Sequence, residues 1–110
     1  MILEKESAAF EEALRVSKLV FGNQDRLLVA AAVAEAEAGS IYARNIAERL
    51  GITDNRVAPH LRTFEAAGLL VSLPSVGGER RVYYERAESS FWPLCADLTT
   101  TISNRADGSP

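Results

Sequence analysis

Residues 46–70 read IAERLGITDNRVAPHLRTFEAAGLL, and the reading of this stretch decides the fold. Ala43, Ile46, Ala47 and Leu50 recur at the three- and four-residue spacing of one helix face, which predicts a short helix over 42–50. Gly51, Ile52 and Thr53 then make a turn. Thr53 suits an N-cap, and Asp54 falls in the first turn of the next helix, where the backbone dipole favours a negative charge. That helix is expected to run to about residue 67, with Gly68 standing where a left-handed glycine ends a helix. On a helical projection Val57, Leu61 and Phe64 share the inward face. Asn55, Pro59, Arg62 and Ala66 lie opposite, with Arg56 and Thr63 along one edge.

Downstream, LLVSL at 69–73 and RRVYYE at 80–85 are two strand-like runs joined by a loop holding Pro74, Gly77 and Gly78, which predicts a β-hairpin. Upstream, the apolar spacing of Phe10, Ala13, Leu14, Val20 and Phe21 predicts a helix over 3–21, closed by Gly22 and Asn23. The Leu- and Ala-rich run over 24–38 predicts a close-packed central helix. Phe91, Leu94, Cys95, Leu98 and Ile102 stripe a last helix over 88–103, with Pro93 in its first turn. The fold class is therefore mainly α with a small β-hairpin: a winged helix-turn-helix of five helices plus wing. A single domain is expected over 1–104, with a core at 41–86 and a disordered tail at 105–110.

The 110 residues suit one domain with a modest core. No apolar run reaches the roughly 18–20 residues a membrane span needs. The N-terminus carries Glu4, Glu6, Glu11 and Glu12 and lacks the basic-then-apolar pattern of a signal peptide. Cys95 is the single cysteine, so no internal disulfide framework exists, and the cytoplasm is the expected compartment. The net charge of −3 does not by itself suggest a polyanion partner. Its distribution matters more, because residues 44–86 hold seven arginines against five acids between acidic flanks.

A helix that enters the major groove needs one anchored face and one free polar face. The predicted helix over 53–67 has both. Arg56 and Arg62 can bind guanine bidentately and Asn55 can do so for adenine, while Pro59 and Thr63 share the outward surface. Thr53, Arg44 and helix-start N–H groups suit phosphates. Arg80 and Arg81 beside the wing glycines suit the minor groove or flanking phosphates. These features point to double-stranded DNA as the partner, with residues 74–81 of the wing on flanking DNA. Pro59 interrupts the pattern: an interior proline costs about 3 kcal/mol and either kinks the helix or moves its start.

The run IAERLGITDNRVAPHLRTFEAAGLL followed by GGERRVYYE resembles the ArsR-type winged-helix repressors, with MarR-type regulators more distantly similar. Ala47, Leu50, Gly51, Ile52, Thr53, Val57, His60, Leu61, Arg62, Ala67, Gly68 and Leu69 match the helix-turn-helix pattern, with Phe64 in place of leucine. Arg80, Arg81, Tyr83 and Tyr84 fit the wing. The resemblance covers about 41–86 and implies a dimeric, sequence-specific repressor. It further implies that residues 1–22 and 88–103 form a homodimer interface through Phe10, Leu14 and Phe21 on one helix and Phe91, Cys95, Leu98 and Ile102 on the other. The alternative is that both stripes pack within the monomer. A dimer places two recognition helices about one DNA turn apart on a pseudo-palindromic site. The family resemblance also allows an unidentified small-molecule effector at that interface.

No cofactor or metal is expected. One Cys, one His and no C-x-x-C cannot assemble the several ligands a soft-metal sensor needs. His60 and Cys95 read as packed residues, Trp92 as a core or interface aromatic, and one of Tyr83 and Tyr84 as packed on the domain. No phosphate loop or nucleophile elbow is present, so an enzyme is not expected. The competing reading is a winged helix used only for protein–protein contact, without DNA binding.

Overall fold

The computed structural model describes residues 7–74, 77 and 80–106. Its elements are α1 (Ala8–Phe21), α2 (Arg26–Glu35), α3 (Ala43–Leu50), α4 (Asp54–Ala66), β1 (Leu70–Ser72), β2 (Tyr84–Arg86) and α5 (Phe91–Ala106). The order is the expected one: five helices and a two-stranded antiparallel hairpin.

Local chemistry moves several boundaries. Ser7 is extended and its hydroxyl accepts the Phe10 N–H at 3.0 Å, so α1 starts at Ala8 rather than residue 3. The earlier part of that expected helix, and the tail at 107–110, lie outside the described residues. Helix α5 begins at Phe91 rather than 88, because Ser89 Oγ takes the Phe91 N–H and the Ser90 carbonyl takes that of Leu94. Pro93 thus occupies the first turn, where its missing N–H has no helical partner to lose. The helix continues to Ala106, so Arg105 and Ala106 belong to α5 and not to a tail.

Helix α2 is the centre of the domain. Every residue from Leu27 to Val33 is buried, and three successive alanines let α1 and α5 approach it closely. Helix α3 packs on α4 across the Gly51 turn, where a φ of 70° selects glycine. Leu50, Val57, Leu61 and Phe64 close this part of the core. Burying a side chain such as Leu61 contributes about 1.5–3 kcal/mol.

Strands β1 and β2 pair Leu70 with Arg86, Val71 with Glu85 and Ser72 with Tyr84. Tyr84 also donates its N–H to the Ile41 carbonyl at 2.9 Å, which ties the wing to the segment before α3. Arg86 adds a second tie: one guanidinium nitrogen donates to the Val33 and Ala36 carbonyls at 2.6 and 2.7 Å. Those acceptors sit at the end of α2, where carbonyls run short of helical partners, and that of Val33 also takes the Ala36 N–H at 3.2 Å. The root of the wing is thereby bolted to the central helix.

The stripes expected to form a dimer interface are largely spent inside the monomer. Phe10 is 3 % exposed, Cys95 0 % and Ile102 3 % within the single chain. Leu14, Phe21, Phe91 and Leu98 are half-buried against the same core. The reason is α2: a helix buried on all sides needs apolar covers, and α1 and α5 supply them. The apolar side chains left in solvent on these helices are Leu19, Val20 and Leu94.

Candidate nucleic-acid interface

Helix α4 has the two faces its sequence demands. Val57, His60, Leu61 and Phe64 are buried, while Thr53, Asp54, Asn55, Pro59, Arg62 and Thr63 are exposed. Thr53 holds the extended N-cap conformation, yet its hydroxyl makes no cap hydrogen bond. The helix runs through Pro59 without changing its start. Pro59 and Asn55, whose carbonyl an N–H at 59 would have bonded, both face solvent, so water can serve the orphaned acceptor. Thr63 donates its hydroxyl to the Pro59 carbonyl at 3.0 Å.

Arg56 behaves differently from the expectation. Its Nε and Nη2 donate to the two carboxylate oxygens of Asp25 at 3.0 and 2.5 Å, a fork-on-fork pair between α4 and the N-cap of α2. Hydrogen bonding to Asp25 raises the Arg56 pKa above its ordinary value. Arg56 is therefore held against the protein and not presented to a groove. Asp25, 31 residues away in the chain, is the Arg56 partner that sequence reasoning missed, and no local pattern points to it. Beside this pair, Arg26 Nε donates to His60 Nδ1 at 3.3 Å. Burial first, then the neighbouring Arg26, lowers the His60 pKa, which keeps the imidazole neutral and able to accept. His60 is thus a packed residue, as its position on the helix suggested.

Between α3, α4 and the wing lies a groove of about 470 Å³. Arg44, Arg62, Arg80 and Arg81 line it, with Asp54 the one acid among the described residues of its lining and Tyr42 and Tyr84 among its walls. Arg44 Nε stands 3.7 Å from Asp54, an ion pair with both side chains half-exposed. Arg81 is stacked over the Tyr42 ring at 4.4 Å, and Tyr42 meets Tyr83 edge-on at 5.1 Å between centroids. Tyr42, which the sequence reading did not single out, thus orients the basic base of the wing. Tyr84 is the inward tyrosine of the pair and Tyr83 the outward one. Gly77 is exposed at the tip, whereas Gly78 lies outside the described residues. The groove brings together Arg44, Arg62, Arg80 and Arg81 of the expected DNA-contacting set, with Thr53, Asn55, Pro59 and Thr63 exposed on the adjoining helix, and leaves out Arg56.

The remaining singled-out residues are structural. Burial pushes the Cys95 thiol up to about 11, so little reactive thiolate is present at neutral pH. Trp92 is buried among Phe64 and Phe91, with centroids 5.5 and 4.9 Å away in edge-on contacts.

A helix-turn-helix with a basic hairpin wing, set on a buried central helix, defines the winged-helix class. No protein-family model matches the chain, and no curated protein sequence matches it. Among solved structures it is similar to MepR of Staphylococcus aureus in complex with DNA, with a TM-score of 0.63 and 15 % identity over 90 % of this chain and 71 % of that one. It is likewise similar to MepR described as a transcription regulator of the multidrug efflux pump MepA, with a TM-score of 0.59 and 16 % identity over 90 % and 70 %. At such identities the likeness is one of fold, and the fold is the winged helix-turn-helix.

Proposed function

We propose that this chain is a DNA-binding transcription regulator that reads the major groove with α4 and lays its wing on flanking DNA. The observation that carries the reading is the four-arginine groove joining the free polar face of α4 to the wing in a chain whose total charge is −3. An acidic protein that sets four arginines around one concavity concentrates its attraction for a polyanion there. The likeness to a regulator solved with DNA supports the same partner. In this reading Arg44, Thr53, Arg80 and Arg81 serve phosphates, Asn55, Arg62 and Thr63 face bases, Pro59 shapes that face, and Arg56 positions the helix.

MepR is a MarR-family regulator, while the motifs resemble the ArsR type, so the finer assignment lies between those two related groups. A repressor follows from the habit of both. The dimer is kept in revised form, its contacts now resting on Leu19, Val20 and Leu94 together with the half-buried Leu14, Phe21, Phe91 and Leu98. Among the described residues no helix is long and apolar enough to cross a membrane, which accords with a regulator working on DNA in the cytoplasm.

One observation favours the protein-contact alternative: with Arg56 tied to Asp25, Arg62 is the cation left on the exposed face of α4. Fluorescence anisotropy over a salt series, using duplexes from the promoter of the chain's own gene and scrambled controls, separates the two. DNA binding predicts preference for the promoter duplex, weakening as salt rises, with that preference reduced by roughly 1–3 kcal/mol in Arg62→Ala and the salt slope smaller by roughly 1 in Arg80→Ala. A folded protein that binds neither duplex at low salt supports the protein-contact reading instead.

A further inference from the structure

The acid in the basic groove needs a reason. Asp54 is the first residue of α4, on the exposed surface that also carries Asn55 and Arg62, and its side chain is 50 % exposed. It does not cap the helix, since Thr53 occupies the cap. It does not clamp the fold either, because its contact with Arg44 is a long 3.7 Å ion pair that leaves acceptor lone pairs free. A carboxylate in that place opposes the phosphate backbone that the surrounding arginines attract. The positive start of α4 favours a negative charge there, whereas attraction for phosphate disfavours it, so the two electrostatic effects oppose each other at Asp54.

Resting on the DNA-binding reading above, we propose that Asp54 is a specificity-determining residue that selects cytosine at one position of the DNA site. An ionised carboxylate offers only acceptors. In the major groove cytosine presents an N4 amino donor, whereas guanine presents O6 and N7 and thymine O4, all acceptors. Asp54 thus gains a hydrogen bond from cytosine and meets repulsion from guanine or thymine. Adenine offers an amino donor too, but sets its N7 acceptor beside it. Arg44, 3.7 Å away, offsets part of its charge, so the carboxylate can approach DNA without driving the whole helix away.

The test is selection of binding sites from a randomised duplex library by the full chain and by Asp54→Asn and Asp54→Ala, with circular dichroism confirming that each is folded. The wild type is expected to favour cytosine at one position by roughly tenfold over guanine or thymine. Asp54→Ala flattens that position alone and binds scrambled duplex more tightly. Asp54→Asn shifts it towards adenine, which an amide can bind bidentately. A purely structural or electrostatic role for Asp54 would leave the selected sequence unchanged in both variants, and that result overturns the inference while DNA binding stands. A library left unenriched by the wild type overturns the DNA-binding reading, and this inference with it.

Discussion

Replacing Arg56 with alanine distinguishes a positioning residue from a DNA contact. The guanidinium makes two charge-assisted hydrogen bonds to Asp25, whose side chain is 12 % exposed against 39 % for that of Arg56. Removing one member of a fully buried pair costs about 3–5 kcal/mol, because the other charge is stranded. Here water reaches part of the pair, so the expected cost of Arg56→Ala is about 2 kcal/mol. For a domain of this size that lowers Tm by roughly 10 °C. The exposures also predict an asymmetry. Asp25→Ala leaves a guanidinium that can rehydrate and costs about 1 kcal/mol. The double variant, which strands no carboxylate, melts above Arg56→Ala alone.

The assay is thermal unfolding by circular dichroism for the four proteins, paired with anisotropy over a salt series. Arg56→Ala weakens DNA binding by loosening α4, yet the slope of affinity against salt stays that of the wild type, because no phosphate contact has gone. The positioning role is refuted if Arg56→Ala melts with the wild type while its salt slope falls by roughly 1. In that case the guanidinium leaves Asp25 for the DNA, as the sequence pattern alone would have it.

Three further outcomes follow from the same geometry. Burial holds the His60 pKa below its ordinary 6.5, so the unfolded chain binds this proton more readily than the folded one. Its contribution to stability is complete above pH 6.5 and erodes as pH falls below that value towards the depressed folded one; Tm measured from about pH 8 to 5 should drop more steeply for the wild type than for His60→Gln. Pro59→Ala restores a backbone hydrogen bond at an exposed site of α4 and should raise stability by roughly 1–3 kcal/mol in urea unfolding; a lowered midpoint would mean the ring holds a contact that outweighs it. If a second copy covers Leu94, which is 61 % exposed, Leu94→Glu should shift the sedimentation coefficient from dimer to monomer and leave the monomer's own Tm within about 2 °C. An unshifted sedimentation profile removes Leu94 from any interface.

How much of this was legible beforehand depends on the range of the interaction concerned. The order of elements and the inward face of α4 follow from spacing within a turn or two, so Val57, Leu61 and Phe64 were readable from the sequence and are buried in the fold. The hairpin was readable for the same reason, but its second strand is Tyr84–Arg86 and not the expected 80–85, because pairing with β1 begins where Tyr84 turns inward. What could not be read is decided between elements. A helical projection assigns Arg56 to an edge, but whether an edge arginine meets solvent or a carboxylate depends on where α2 begins in space, and Asp25 is remote in the chain. The dimer stripes were only partly readable for the same reason. Periodicity reports that Phe10, Cys95 and Ile102 share apolar faces with their neighbours, but not which surface those faces cover. Here α2, buried from Leu27 to Val33, claims them first. The same rule sets the value of what remains outside. Leu19, Val20 and Leu94 on the helices, and the groove arginines with Asp54 among them, are the groups the monomer has not consumed, and a search for partners starts from them.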